Sequence, residues 1–132
     1  LIVITTPQLM AQKVATRVAD MAKRSFIPLL GVIENMSYFE SNTGEKFNIF
    51  GEGGGEALSD KFGIPLLGKI PIGENTNDIA DSGTPLINQE NNSVTKVEIE
   101  KLINNIAIKL PPIIDETCTG RLAKVFEELS NQ

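Results

Sequence analysis

Hydrophobic residues in this chain form short continuous runs that alternate with helical repeats. Residues 1–5 are a β-branched apolar run without polar alternation, which is typical of a strand buried on both faces. Residues 7–23 predict an amphipathic helix, with Thr6 as its N-cap and Pro7 as its first residue. Its apolar stripe, turned away from water, is expected to be Met10, Val14, Val18 and Met21, with Ala11 and Ala22. A second run at residues 28–33 predicts a strand, so the first third of the chain is one right-handed βαβ unit.

The same alternation continues to the end of the chain. Residues 39–48 are polar, and residues 42–46 predict a turn. A short helix is expected at residues 56–62, ended by Gly63, and a third strand at residues 65–70. Further helices are expected at 74–81, ended by Ser82 and Gly83, from Val94 until Pro111 and Pro112, and at 119–129, with a polar loop at 88–93. This order predicts an α/β fold: a doubly wound parallel sheet, present in part, with helices on its faces.

Composition and charge narrow the class of protein. The 132 residues suit one domain, and the net charge of -5 argues against a nucleic-acid partner, because phosphate binding needs clustered Lys and Arg. No apolar run is long enough to span a bilayer and no signal-like segment is present, so we expect a cytoplasmic protein without a membrane partner. The single Cys118 and the absence of His exclude a disulfide framework within one copy, an all-cysteine metal site and His-based catalysis. Because the run at residues 1–5 resembles the middle of a sheet, we expect the chain to be a fragment.

The strongest candidate for a site is the end of the second apolar run. The run stops at Glu34 and Asn35, and a glycine-rich stretch follows at residues 51–55. Ligands of open parallel sheets bind at the carboxyl edge, so the two segments suggest a nucleotide site. Asn35 could equally cap a turn. A flexible helix-entry loop is preferred over an anion site for Gly53–Gly55, since the nearest basic residues are Lys46 and Lys61.

Other residues have ordinary explanations beside functional ones. Tyr38 and Phe39 suit either an interface or a small core under the loop that follows them. Asp20 is expected on a solvated helix face and Asp81 at a helix end, in preference to metal binding. Cys118 is expected to be a plain thiol.

Five motifs occur in the order and spacing of a known family. They are residues 5–8 (TTPQ), 28–39 (PLLGVIENMSYF), 49–55 (IFGEGGG), 65–71 (PLLGKIP) and 81–85 (DSGTP). With them the chain resembles the Mrp-type branch of the MinD/ParA-like deviant P-loop ATPases, a family of iron-sulfur cluster carriers and assembly factors.

The resemblance implies that residues 1–86 are the C-terminal half of a P-loop ATPase domain and residues 87–132 its helical extension. It implies ATP with Mg as cofactors of the full-length parent, whose phosphate loop and magnesium-binding acid lie before Leu1. The chain has no Gly-x-x-x-x-Gly-Lys-Ser/Thr pattern, so no catalytic residue and no metal ligand is assigned, and hydrolysis is left open. Asn35 occupies the position of an adenine-reading side chain, and Pro71, Ile72 and Gly73 that of the loop along the adenine.

One departure from the family concerns the cluster. Cluster-carrying members have a Cys-x-x-Cys after the Ser-Tyr-Phe phrase, where this chain has Glu40 and Ser41. These are poor ligands for an iron-sulfur cluster, so the sequence argues against one. The resemblance also implies a homodimer with apo-protein clients, and a dimer-interface loop of Tyr38, Phe39, Glu40 and Ser41. Two functions follow: an ATP-binding carrier-type ATPase, or a non-catalytic partner-binding scaffold of the same fold.

Overall fold

The part of the chain that the structure describes forms a four-stranded sheet with helices on both faces. The computed structural model describes residues 1–73, 81, 83, 85–88 and 93–110. The elements in chain order are β1 (Ile2–Thr5), α1 (Leu9–Arg24), β2 (Gly31–Glu40), β3 (Lys46–Phe47), α2 (Gly54–Phe62), β4 (Leu66–Ile72), a 3-10 turn (Leu86–Asn88) and α3 (Val94–Lys109). The predictions for residues 74–80, 82, 89–92, Cys118 and 119–129 lie outside the described residues.

β2 is the central strand of the sheet. It pairs in parallel with β1 on one side and with β4 on the other, while the short β3 runs antiparallel to the end of β2. The α/β class and the parallel pairings are confirmed, and the antiparallel hairpin adds a feature that the sequence had not indicated. In the described part of the chain, β1 pairs only with β2, so its outer edge is open.

The two faces of the sheet carry separate apolar cores. Val32 and Ile33 are neighbours on β2 and point to opposite faces, as strand geometry requires. One core lies under α1 and α2, and consists of Val3, Ala15, Ala19, Val32, Leu58 and Phe62. The other lies under α3, where Leu102 packs on Ile33 and Leu67. Three layers of helix, sheet and helix therefore hold β2 in place.

The predicted apolar stripe of α1 is wrong apart from Ala22, which is buried as expected. Met10, Val14, Val18 and Met21 are exposed, and the residues of α1 that face the sheet are Ala15, Ala19 and Ala22. The alanines recur four and three positions apart, so they form a continuous face of small side chains that lets the helix lie close to the sheet. The larger apolar side chains are left on the side of the open edge of β1.

The start of α1 also differs from the prediction. The helix begins at Leu9, and its N-cap is Gln8 without a side-chain hydrogen bond, so Thr6 is not the cap and Pro7 is not helical. A β-carbon built on Gly54 would lie 2.8 Å from the Cα of Pro7, which shows that α2 packs directly on this loop. The side chain of Gln12 donates to the carbonyl oxygen of Pro7 at 2.8 Å. These contacts, which involve a distant part of the chain, determine the loop conformation.

β2 is longer than predicted and shifted towards the carboxyl end. It spans Gly31–Glu40, so the polar phrase after Ile33 lies inside the strand. Its end pairs with β3 through Phe39 with Phe47 and Glu40 with Lys46. The predicted turn between them is confirmed at Gly44, where φ is 82° and the amide donates to the carbonyl of Ser41. The pairing with β3 extends a strand that hydrophobic patterning alone would end.

The remaining elements agree with the sequence apart from their ends. Gly63 closes α2 with a φ of 64°, and β4 runs two residues beyond the predicted strand. α3 begins after Ser93, whose side chain accepts from the amide of Lys96, and its last residue is Lys109, before the two prolines. None of the helices in the described ranges has the length and apolar character to cross a membrane.

Candidate functional site

A groove runs along β1 and reaches the carboxyl end of that strand at Thr5, beside Asn35 in the middle of β2. Its volume is about 400 Å³, and it lies between the open edge of β1 and the exposed side of α1. Most of its lining is apolar, and its polar side chains come from Thr5, Thr6 and Asn35. The parallel register sets Thr5 opposite Glu34, which brings Asn35 beside the end of β1. The groove thus has the position at which open α/β sheets bind ligands.

Asn35 is held by its own backbone in this groove. Its Oδ1 accepts a hydrogen bond from the amide of Met36 at 2.9 Å. Met36 has a φ of 54°, which non-glycine residues seldom adopt. In the described part of the chain the Nδ2 group of Asn35 makes no hydrogen bond, and Oδ1 retains a second lone pair. The side chain therefore caps a local turn and still offers a donor and an acceptor to a ligand.

Thr6 adds a second polar group with unused capacity. Its Oγ1 is buried and has no hydrogen-bond partner among the described residues. A buried hydroxyl without a partner costs free energy, which a ligand or a water molecule would recover. The sequence had suggested Thr6 only as a helix cap, so this role was not foreseen.

The residues predicted to lie along the adenine, 71–73, are at the end of β4, which flanks β2 on the side opposite to β1. Pro71 and Ile72 are the last residues of β4 and Gly73 follows it, so the first two belong to a strand and not to a loop. Asn35 is paired with Ile70, directly before them, and a register irregularity follows. The structure brings Asn35 near the end of β4, but the groove itself is lined by residues of β1, α1 and Asn35 and not by residues 71–73.

The sequence reasoning missed Glu34. This carboxylate is 1% exposed, yet it lies beside the site on β2. Its Oε2 accepts from the amide of Gly55 at 2.6 Å, and its Oε1 accepts from the hydroxyl of Ser37 at 2.6 Å. The available signal was a glutamate directly after an apolar strand run, a position at which a carboxylate needs partners.

Lys69 on β4 joins this carboxylate to α2. Its Nζ lies 3.7 Å from Oε1 of Glu34 and contacts Oε1 of Glu56 directly. The hydrogen bond that Lys69 donates to Glu56 raises the pKa of Lys69, and the nearby charge of Glu34 adds to the effect. Burial alone would raise the pKa of Glu56, but the hydrogen bond with Lys69 and the bond to its own backbone outweigh it, so this pKa is lowered. Glu56 and Lys69 are therefore both charged near neutral pH.

Of the three glycines at the amino end of α2, Gly54 and Gly55 allow close packing. Gly53 has a φ of 80° and is the N-cap, whereas Gly54 and Gly55 are buried helical residues. A β-carbon on Gly55 would lie 2.8 Å from Cβ of Glu34. Close contact therefore replaces the expected flexible loop at the last two glycines. The position at which this helix would bind an anion is taken by the carboxylate of Glu34.

The β2–β3 hairpin carries the predicted interface loop. Tyr38 and Phe39 are half-buried, and Nζ of Lys46 lies 4.4 Å from the ring centroid of Tyr38. Lys46 also pairs with Glu40 at 3.7 Å, and the hydroxyls of Ser41 and Thr43 are 2.8 Å apart. Within the described ranges, no three His, Cys, Asp or Glu side chains are grouped as metal ligands would be.

Comparison with known proteins identifies the family. Residues 1–107 match the family described as "ParA: NUBPL iron-transfer P-loop NTPase". The chain belongs to this family. The resemblance stated from the five motifs is thus confirmed, and so is the P-loop NTPase type of fold.

Curated relatives of the chain have the name iron-sulfur cluster carrier protein. This chain is 39% identical over 109 residues to an iron-sulfur cluster carrier protein of Pyrococcus horikoshii. The aligned region covers 80% of this chain and 37% of the relative. The chain is 39% identical over 97 residues to the carrier protein of Bacillus subtilis, covering 73% of this chain and 27% of that one. The chain therefore spans well under half the length of the relatives it matches.

Two solved structures are similar to the fold. One is a nucleotide-binding protein of Archaeoglobus fulgidus in complex with ADP, with 34% identity and a TM-score of 0.53 over 62% of this chain and 34% of that chain. The other is the cell division ATPase MinD of Pyrococcus furiosus, with a TM-score of 0.60 over 83% of this chain and 43% of that chain. At 19% identity the MinD likeness shows the fold alone.

Proposed function

We propose that this chain forms the base-binding half of an ATP site in a carrier-type P-loop ATPase. The observation that carries the proposal is the Asn35 side chain, which lies in the groove with an amide donor that has no partner among the described residues. The names of the relatives and the ADP in the Archaeoglobus structure support the nucleotide class. Hydrolysis, Mg binding and a cytoplasmic location belong to the same proposal about the complete protein.

The groove fits the chemistry of a purine base. Its lining is mostly apolar, with two polar side chains, Asn35 and Thr6, that have unused hydrogen-bonding capacity. An amide donates to one edge atom of adenine and accepts from another, which a hydroxyl alone cannot do with the same geometry. Residues 71–73 do not line the groove, so they would contact only a part of the nucleotide that extends beyond it towards the end of β4. A bound nucleotide would supply the phosphoanhydride bond, and the residues of this chain would bind and orient its base.

The test is nucleotide affinity in the complete protein that carries this sequence. Asn35→Ala removes the amide but leaves the strand, so we expect ADP binding to weaken about tenfold, as for a lost hydrogen bond in a desolvated site. Isothermal titration calorimetry measures the dissociation constant directly.

Asn42→Ala is the matched control, since Asn42 is exposed on the hairpin turn. Its affinity for ADP should equal that of the unaltered protein. Equal affinity in Asn35→Ala would remove Asn35 from the site, and an unaltered protein that does not bind ADP or ATP would refute the nucleotide function.

A second candidate is a scaffold of the same fold that binds partners without carrying a cluster. It is favoured by the hairpin, where Ser41 and Thr43 hydroxyls and the Glu40–Lys46 pair occupy the place of the family's thiolates. The described residues contain no cysteine. Such a protein would form a homodimer through Tyr38, Phe39, Glu40 and Ser41 and bind iron-sulfur apo-proteins as partners. Anaerobic reconstitution with iron and sulfide separates the two: a stable, stoichiometric cluster absorbance would contradict the scaffold.

A further inference from the structure

The most unusual group outside the groove is the buried carboxylate of Glu34. It is one of the two largest side chains that are fully buried in the described ranges, the other being Val32. A charged carboxylate in such a place costs several kcal/mol unless its lone pairs are satisfied. Both of its oxygens are satisfied here, by groups on α2, on β2 itself and on β4.

The first partner is the amino end of α2. Gly55 is the second residue of the helix, and its amide has no acceptor within the helix. The N-cap is Gly53, which has no side chain to accept this hydrogen bond, so Oε2 of Glu34 acts as the cap from another strand. The negative charge also lies at the positive end of the helix dipole. Glu34 thus fixes the position of α2 on β2.

The second partner is Ser37, three residues further along the same strand. Its hydroxyl lies 2.6 Å from Oε1 of Glu34 and 3.2 Å from the backbone oxygen of the same residue. The contact closes a short loop that contains Asn35 and Met36. Met36 has a φ of 54°, a left-handed conformation that costs a non-glycine residue about 1–2 kcal/mol, so it needs support from neighbouring contacts.

We propose that Glu34 is a positioning residue for Asn35. Through Ser37 it stabilises the left-handed turn at Met36, and this turn places the amide that Oδ1 of Asn35 accepts from. Through Gly55 it fixes the same stretch of β2 against α2. The carboxylate thereby sets the direction in which Nδ2 of Asn35 enters the groove. The inference rests on the proposed nucleotide site.

The decisive experiment compares Glu34→Gln with Glu56→Gln in the complete protein. Glutamine has one acceptor oxygen in place of two and carries no charge, so it either loses the hydrogen bond from Gly55 or turns its amide donor towards Ser37, whose hydroxyl then accepts where it donated before. We expect ADP affinity to fall about tenfold in Glu34→Gln, with a smaller ratio between ADP and GDP affinities, because the amide of Asn35 is less well directed. Glu56→Gln also removes a carboxylate charge that contacts Lys69, but it leaves the hydrogen bonds of Glu34 with Gly55 and Ser37 in place. The affinities for ADP and GDP should therefore be unchanged.

The ADP to GDP ratio separates positioning from a purely structural role. If Glu34→Gln lowers the melting temperature while both affinities stay equal to those of the unaltered protein, the proposal is wrong. If this variant does not fold, Ser37→Ala decides, since it removes the hydroxyl contacts with Glu34 that close the turn and leaves the Gly55 hydrogen bond in place: a reduced ratio supports positioning and an unchanged ratio overturns it. Failure of the unaltered protein to bind ADP would refute the proposed function itself, and the inference with it.

Discussion

At the scale of single residues, Phe26 and Met36 have left-handed backbone conformations, which are usually found at glycine. Phe26 follows the C-cap of α1, and the hydrogen bonds from Phe26 to Lys23 and from Ile27 to Ala22 form a Schellman motif. The ring of Phe26 is 94% exposed, so it gains little from burial. The motif requires the positive φ, and the side chain is strained without compensation from packing.

Phe26→Gly should therefore stabilise the protein. Relief of the left-handed conformation outweighs the added freedom of the unfolded chain, and we expect a gain of about 1 kcal/mol in the free energy of unfolding. Chemical denaturation followed by circular dichroism measures it. Phe26→Ala is the control: it removes the same ring but keeps the strain, so its stability should change little. A gain of equal size in both variants would assign the effect to the ring.

At the scale of elements, α2 shows how glycine can be required inside a helix. Gly55 would gain helix propensity by substitution, yet a β-carbon there would lie 2.8 Å from Glu34 and 2.9 Å from Leu66. Neither neighbour can move freely, because Glu34 is held by its hydrogen bonds and Leu66 packs against a core. Close approach of the helix to β2 thus depends on the missing side chain.

Gly55→Ala should destabilise the protein although helix propensity favours alanine. Overpacking of a fixed contact costs about 1–3 kcal/mol, more than the propensity gain of about 0.5–1 kcal/mol. The melting temperature should fall, and ADP binding should weaken if α2 moves away from Glu34. Asp60→Ala, an exposed change on the same helix, is the control and should have little effect. A higher melting temperature in Gly55→Ala would show that the contact is not tight.

At the scale of the whole molecule, exposed apolar side chains of α1 lie beside the outer edge of β1, which is unpaired in the described part of the chain. Ile4, Met10 and Met21 are more than half exposed, and the edge of β1 offers unpaired backbone groups in the described part of the chain. A contiguous apolar patch beside an open strand is typical of an association surface. The isolated 132-residue polypeptide should consequently self-associate.

Sedimentation velocity of the 132-residue polypeptide tests this expectation. Met10→Lys combined with Met21→Lys places charges on the stripe and should shift the species towards monomer. Ile108→Lys changes an equally apolar residue on α3, which is 83% exposed, and should leave association as it was. A monomer in the unaltered polypeptide, or equal effects of the two substitutions, would contradict an association through α1.

Local signals in the sequence determined the α/β class, the family and, apart from β3 and the 3-10 turn, the order of the elements in the described ranges. Continuous apolar runs predicted β1 and part of β2, Gly63 predicted the end of α2, and the prolines after Leu110 predicted the end of α3. Asn35 was assigned to the carboxyl edge because its strand run ended there. These features depend on neighbouring residues, so they are visible without the fold.

The tertiary structure alone decided which surfaces meet. In α1, both the large and the small apolar residues recur at helical spacing, so the sequence predicts two possible buried faces. Only contact with the sheet shows that the alanine face is the buried one. The length of β2 depends on pairing with β3. The role of Glu34 depends on Gly55, 21 residues away along the chain. Burial and capping are properties of partners brought together by folding, which is why hydrophobic pattern could locate Asn35 but could not show what holds it.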